Sequence, residues 1–314
     1  MLKKSLACAA ICFASFSASA SSPYTIIVPF TPGGASDSFA RIVGKELNRE
    51  LGVPVIIENK PGAGGGVGAA AFAKLQKNTR NIFLGTISTH AINPYLYKNI
   101  NYDPQKDFQP VAMVLALPNM LAVNAKTNIR TVKDLTSEGE KRHLTFGSAG
   151  TGSSAHLSAE VMAMENPKMQ VTHVPYKGAN PANSDLLGGQ IDFVFDNISS
   201  ILPLVKSGKL RGLAVTSSSR SHMAPDIPTM SESGFKDYEV VSWFGFWLPK
   251  DSDKAKVDEL NAALTKIYQN PEFINSIKAV GADPVLKTGA EFKRFVEAEQ
   301  KRWKQVVKKL DIQM

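Results

Sequence analysis

Cysteine is nearly absent from this chain. Its two copies, Cys8 and Cys12, both lie within the first 20 of 314 residues. That segment begins with Lys3 and Lys4, continues with an apolar run and ends in small residues at positions 18–20, the pattern of a cleavable secretory signal peptide. Cleavage after residue 20 is predicted, and the mature protein would then contain no thiol. Disulfide bonds, thiolate metal sites and cysteine catalysis are thereby excluded.

Long apolar runs and a strong charge excess are also lacking. The N-terminal apolar run is too short to span a bilayer, and no later stretch reaches the roughly 20 apolar residues required, so the exported chain is expected to be soluble. Removal of Lys3 and Lys4 lowers the formal net charge only from +8 to +6, which would favour encounter with small anions but also fits an ordinary surface. The basic cluster at 301–309 is interpreted as the solvent face of a terminal helix, so no nucleic-acid partner is expected.

The rest of the sequence alternates short β-rich segments with longer helical ones, which predicts an α/β fold of about two domains. A first series has strands at 24–30, 53–58 and 81–86, and its first helix ends at Gly52. A second series has strands at 144–147, 171–175, 191–195 and 210–215, with helices starting near residues 153, 181 and 200. This alternation favours a parallel sheet that is covered on both faces.

Two further extended segments, 111–123 and 240–248, flank the second series. We interpret them as crossings between two lobes. Lobe 1 is then discontinuous, with residues 21–122 and 237–314, and is completed by helices from residue 253 onward, whereas lobe 2 comprises residues 123–236. Two sequential domains are the alternative, which would return no strand to the first sheet. Two crossings form a hinge around a cleft at the carboxyl ends of the strands, where ligands bind in open α/β sheets.

Cations are almost missing from three glycine-rich turns that follow predicted strands. The turns are residues 29–37 (PFTPGGASD), 59–68 (NKPGAGGGVG) and 147–156 (GSAGTGSSAH). Such a turn aims several backbone N–H groups at one point, and the positive end of the next helix adds to their attraction for an anion. Because the turns lack groups that would react with a ligand, they indicate a protein that binds a carboxylate or phosphate and hands it on.

The first turn offers a specific arrangement. Gly33 and Gly34 permit positive φ and close approach by a ligand, and Ser36 or Asp37 caps the helix. The carboxylate of Asp37 would compete with an anion, so this residue either caps the helix or receives an ammonium group. A strand-to-helix turn without a ligand explains the pattern equally well. Asp196 ends a buried strand of the second series and is a further cleft candidate.

Signatures of nucleotide binding or catalysis are weak. Gly64, Gly66 and Ala69 have dinucleotide-loop spacing, but the next strand ends without the acidic residue that would hold a ribose. No lysine follows a glycine turn as a P-loop requires, and the five histidines never approach metal-ligand spacing. No cofactor, metal or catalytic residue is therefore expected, although a secreted hydrolase using Ser153 or Ser154 with a distant histidine is an alternative.

The three glycine-rich turns also belong to a set of motifs that resembles a known protein family. They occur in order with the segments 85–97 (GTISTHAINPYLY), 174–196 (VPYKGANPANSDLLGGQIDFVFD) and 243–249 (WFGFWLP), across essentially the whole mature chain. In these motifs the sequence resembles the Bug family, the periplasmic solute receptors of tripartite tricarboxylate transporters. The resemblance implies a two-lobed type II periplasmic-binding-protein fold with two hinge crossings, located in the periplasm. It also implies that this fold closes on a small carboxylate and delivers it to a membrane transporter, and a monomer is expected.

The resemblance further implies that both lobes contribute to the site, and that His90 tunes which ligand fits. It does not select the ligand, and a sensory receptor that reports the same ligands to a membrane kinase is an alternative. The residues expected to bind the ligand are Phe30, Gly33, Gly34, Ala35, Ser36, Asp37, Ser88, Thr89, His90, Gly150, Thr151, Gly152, Ser153, Ser154 and Asp196.

Overall fold

The computed structural model describes residues 22–77 and 79–312, so the predicted signal peptide lies outside the described residues. The strands are β1 (Tyr24–Val28), β2 (Val55–Asn59), β3 (Asn81–Thr86), β4 (Phe108–Asn124), β5 (Leu144–Ser148), β6 (Val171–Pro175), β7 (Phe193–Asn197), β8 (Leu210–Val215), β9 (Val241–Pro249) and β10 (Asp283–Thr288). The α-helices are α1 (Ala35–Leu51), α2 (Gly66–Phe72), α3 (Asn93–Leu96), α4 (Val132–Lys141), α5 (Ser154–Glu165), α6 (Ala179–Gly188), α7 (Ile198–Lys206), α8 (Lys254–Gln269), α9 (Pro271–Ala279) and α10 (Gly289–Leu310).

The long strand β4 joins two parts of the sheet. Its first part pairs with β9 and β10, which gives the order β2-β1-β3-β9-β4-β10. Its last part pairs with β7 and β8, which gives the order β6-β5-β7-β4-β8. The strand β4 changes its pairing partners between Pro118, which is paired with Val241, and Asn119, which is paired with Asn197. Both segments interpreted as crossings therefore meet at one place in the sheet.

The sheet is mixed rather than parallel throughout. The βα units pair in parallel, as β1 does with β2 and β3, and β5 with β6 and β7. The pairs made by β4 and β9 are antiparallel. The parallel arrangement expected for the βα series is thus present, whereas the two segments interpreted as crossings enter the sheet antiparallel to their neighbours, because β9 returns from the second part of the molecule and enters between β3 and β4 in the opposite direction.

Apolar side chains cover both faces of the sheet, as the alternation of elements predicts. Along β1, Ile26 lies in one core and its neighbour Ile27 in the other, because successive side chains of a strand point to opposite faces. In α10, Trp303 and Val307 are buried, while the lysines of the basic cluster are exposed. No helix in the described ranges is long and apolar enough to cross a membrane.

Candidate ligand-binding site

A cavity lies where β4 changes partners, at the carboxyl ends of β1, β3, β5 and β7. It contains about 510 Å³ of free space, counting its open mouth. Its wall is formed by Phe30, Thr31, Gly34, Ala35, Ser36, Thr86, Ile87, Ser88, Asn119, Ala149, Ser153, Ser154, Ala155, Ala179, Asp196, Asn197, Ser242 and Phe244. No lysine, arginine or histidine is present in this wall. An anion would therefore be held by amides and hydroxyl groups.

Four helices begin at this cavity. The wall includes the first residues of α1, α5 and α6, and Asn197 directly before α7. The first turn of each helix presents backbone N–H groups without an intrahelical partner, at the positive end of the helix dipole. In the described chain, no side chain caps α1, α6 or α7, whereas the hydroxyl of Ser153 accepts a hydrogen bond from the N–H of His156 in α5. The uncapped ends leave donors available for an anion.

The carboxylate of Asp37 braces the first turn from behind the cavity. It accepts hydrogen bonds from the N–H of Gly33 (3.0 Å), from Arg41 (2.9 and 3.0 Å) and from Nδ2 of Asn59 (3.0 Å). Burial alone would raise the pKa of Asp37, but these hydrogen bonds and the charge of Arg41 together lower it. Asp37 is thus an ionised group with its own partners. It stabilises the turn and does not line the cavity.

A polar network forms the opposite wall, where β4, β7, β9 and α5 meet. Asn197 donates from Nδ2 to Oδ1 of Asn119 (2.6 Å) and to Oγ of Ser242 (2.8 Å). Ser242 in turn donates to Oγ of Ser154 (2.7 Å). These side chains fix one another in position, so the cavity has a preorganised polar wall. Sequence reasoning missed Asn119, Asn197 and Ser242, although Asn119 interrupts an otherwise apolar strand and could have been noticed.

Asp196 is the one acidic side chain in the cavity wall. Only 6% of its surface is exposed, and it accepts hydrogen bonds from Nδ2 of Asn183 (2.8 Å) and from the N–H of Asn197 (2.7 Å). Burial raises its pKa to about 6 in spite of these two bonds. Near neutral pH the cavity therefore contains a carboxyl group that can be protonated, and no fixed cation.

The structure brings together about half of the residues expected to bind the ligand. Those in the cavity wall are Phe30, Gly34, Ala35, Ser36, Ser88, Ser153, Ser154 and Asp196. Those outside the wall are Gly33, Asp37, Thr89, His90, Gly150, Thr151 and Gly152. The glycines outside the wall shape the turns, with φ of 80° at Gly33, 118° at Gly150 and 81° at Gly152. The turn at 59–68 contributes nothing to the wall.

His90 lies in an aromatic core instead of the cavity. Its ring stacks on Trp247 at 3.8 Å and meets the edge of Phe108 at 4.8 Å, and Nδ1 is 2.9 Å from Oγ1 of Thr89. Complete burial lowers the pKa of His90 to about 3, so the ring is neutral. We therefore do not propose this residue as a ligand contact.

The geometry does not favour a serine hydrolase. The hydroxyl of Ser153 caps α5, that of Ser154 bonds to Ser242, and Nδ1 of His156 accepts from the N–H of Gly152 (3.2 Å). Neither candidate nucleophile therefore meets a histidine base, as acyl transfer would require. Across residues 22–77 and 79–312, no three His, Cys, Asp or Glu side chains are grouped closely enough to hold a metal ion.

Comparison with known proteins identifies the family. The family model described as tripartite tricarboxylate transporter family receptor matches residues 39–312. This chain belongs to that receptor family. The receptor is 32% identical to the periplasmic binding protein BugD, covering 93% of this chain and 98% of that one, with a TM-score of 0.88. The expected periplasmic-binding-protein fold is therefore confirmed.

Two further structures similar to this receptor have a small acid named with them. One is Rpa4515 of R. palustris with adipate, which is 33% identical over 93% of this chain and 98% of that one, with a TM-score of 0.89. The other is MatC from Rhodopseudomonas palustris with bound malate, which is 29% identical over 91% of this chain and 98% of that one, with a TM-score of 0.83.

Proposed function

We propose that this receptor captures a small carboxylate in its cavity and delivers it, chemically unchanged, to the membrane subunits of a tripartite tricarboxylate transporter. The observation that carries the proposal is the convergence of four helix N-termini on a cavity whose wall has no cationic side chain. Backbone donors of this kind suit a carboxylate. The adipate and malate in the two similar structures support the same ligand class, and the family match favours a transporter receptor over a sensory one.

Two lobes moving about β4 and β9 would admit and enclose the ligand. Residues 21–122 and 237–314 form the first lobe in this proposal, and residues 123–236 form the second. The change of partners between Pro118 and Asn119 supports a hinge at this place, because both chain crossings lie side by side there. Closure would bring the N-termini of α1 and α5 onto opposite sides of the ligand, and the closed shape would be read by the transporter.

Export of the receptor belongs to the same proposal. Residues 1–20 would direct the chain across the inner membrane and be removed after residue 20, and the mature receptor would act in the periplasm. The family match and the likeness to a periplasmic binding protein support this location. N-terminal sequencing of the secreted protein tests the cleavage position.

Gly34→Val tests the binding turn. Gly34 has an ordinary φ of −83°, and an added Cβ would lie 3.7 Å from the carbonyl oxygen of Thr31, so the fold tolerates a side chain there. The valine would instead occupy the cavity and block the ligand. We expect wild-type affinity near micromolar, corresponding to about 8 kcal/mol, and loss of measurable binding in the variant.

Isothermal titration calorimetry with adipate and malate measures this effect. Gly188→Val is the matched control, because Gly188 is exposed at the end of α6 and an added Cβ would lie 3.8 Å from the side chain of Gln190, an ordinary contact distance. Normal binding by Gly34→Val would show that the first turn is not the site. A wild-type protein that bound no carboxylate, or mass spectrometry showing an altered ligand after incubation, would refute the proposed function.

A further inference from the structure

The glycine turn at 59–68 lies outside the cavity but contacts the turn that follows β5. A Cβ added to Gly64 would overlap the carbonyl oxygen of Thr151 and would lie 3.2 Å from the N atom of Ser153. In the reverse direction, a Cβ added to Gly150 would lie 3.2 Å from the N atom of Gly64. The two backbones therefore touch directly, with no room for a side chain between them.

One hydrogen bond crosses this approach, and a second one fixes Gly64 on its own side. Tyr97 donates from its hydroxyl to the carbonyl oxygen of Thr151 (2.9 Å), and Asn93 donates from Nδ2 to the carbonyl oxygen of Gly64 (3.1 Å). A Cβ added to Gly152 would overlap Oδ1 of Asn93. Each side of the contact thus belongs to a different part of the sheet, since β2, β3 and α3 lie on one side and β5 and α5 on the other.

A second contact of the same kind borders the cavity. A Cβ added to Gly178 would overlap Oγ1 of Thr31, and Nδ2 of Asn180 donates to the carbonyl oxygen of Pro32 (3.2 Å). Thr31 also belongs to the cavity wall. The two parts of the molecule therefore approach each other at two places beside the cavity, and at both places a glycine permits the approach.

We propose that Gly64, Gly150 and Gly152 form a latch through which the two lobes close over the ligand. This inference rests on the proposed function, because closure is the step that the latch serves. These glycines are positioning residues that do not touch the ligand. They set how closely the lobes approach, and hence how closely the N-termini of α1 and α5 converge on it. A side chain at Gly64 meets backbone atoms that cannot rotate away, so it is accommodated by parting the lobes.

Gly64→Ala is the test, with Gly52→Ala as its matched control. Both glycines have left-handed φ, 55° at Gly64 and 66° at Gly52, so both variants carry the same kind of backbone strain. A Cβ at Gly52 meets nothing within 4 Å. We expect the affinity for adipate or malate to fall about 10- to 100-fold in Gly64→Ala, the usual effect of overpacking a tight contact. Gly52→Ala should stay within about twofold of wild type.

A distance measurement reports closure directly. The chain contains no cysteine after residue 20, so two introduced cysteines can be spin-labelled without interference. Lys45 in α1 and Lys168 after α5 are exposed and suit this purpose. Pulsed electron paramagnetic resonance should show a short separation in wild type and in Gly52→Ala with adipate present, and a longer one in Gly64→Ala.

Tyr97→Phe provides an independent test that adds no volume. It removes the hydrogen bond to Thr151, and we expect about fivefold weaker binding through faster ligand dissociation, with the association rate unchanged. Unchanged distances and affinity in Gly64→Ala would overturn the latch. If wild type bound neither acid, the proposed function would fail. The latch could still be tested by measuring the separation of the two spin labels in the ligand-free proteins. A short separation lost only in Gly64→Ala would then support it, and a wild type that never showed the short separation would overturn it.

Discussion

Asp196→Asn is expected to stabilise the receptor at neutral pH. The carboxyl group is buried and its pKa is raised to about 6 from an ordinary value of 3.8. The amide has the same shape and cannot ionise. Its Oδ1 can still accept from the N–H of Asn197. Its new Nδ2 replaces the oxygen that accepts from Nδ2 of Asn183, so the amide of Asn183 must turn over and present its Oδ1, an atom that has no partner in the described chain. The Nδ2 of Asn183 then takes the unpaired position that its Oδ1 had, so the substitution removes a buried charge without raising the number of buried unpaired groups.

The expected gain in the free energy of unfolding follows from the shift in the pKa of Asp196. Because the folded pKa lies above the unfolded one, the stability that Asp196 supplies is complete below pH 3.8 and is lost as the pH rises through about 6. A difference of about two units corresponds to about 3 kcal/mol at pH 7.5. Asp196→Asn should therefore be more stable than wild type by up to this amount at pH 7.5, and the difference should shrink towards zero between pH 7 and pH 4.

Urea and thermal unfolding at several pH values measure the difference, which corresponds to roughly 5 °C or more in melting temperature at pH 7.5. Asp192→Asn is a suitable control, since burial would raise the pKa of Asp192 but hydrogen bonds from Arg142 and Thr145 lower it overall. Its loss should destabilise the protein at pH 7.5, with an effect that fades as the pH falls. A destabilised Asp196→Asn protein whose deficit did not change with pH would refute the reasoning.

Two further substitutions test the assignment of individual residues. His90→Phe should leave ligand affinity within about twofold and the melting temperature close to that of wild type. A phenyl ring keeps the stack on Trp247 and removes a buried nitrogen without a described partner, which offsets the loss of the Nδ1 contact with Thr89, whose hydroxyl still donates to the carbonyl oxygen of Thr86. A large loss of affinity by calorimetry would place this position near the ligand. Ser153→Ala should weaken binding about fivefold, the scale of one hydrogen bond. Titration of the purified variant with malate measures this effect, and a loss of affinity of more than about a hundredfold would contradict the prediction.

Local elements of the fold were predictable from the sequence. The helix α1 ends where Gly52 adopts a left-handed conformation with φ of 66°, and α5 begins directly after its capping residue Ser153. Such ends depend on neighbouring residues only. The strand β10 was missed within a region expected to be helical, because its short sequence contains Pro284 and its one partner is the distant β4.

The site was predictable in part for the same reason. The turns after β1 and β5 are local features, and they supply Gly34, Ser36 and Ser153 to the cavity wall. Asn119 and Ser242 come from strands that join the site only through long-range pairing, so no spacing in the sequence places them together.

The sequence by itself determined that this chain would carry three glycine turns, each aiming backbone donors beyond the end of a strand with few cations nearby. Only the tertiary structure decided that the first and third turns face the cavity while the second contacts another turn. The reason is strand order: β1 lies inside the sheet, whereas β2 is at its edge, so the turn after β2 lies to one side of the cavity. A local pattern sets the direction of a turn's donors, but the packing of distant segments sets what lies opposite them.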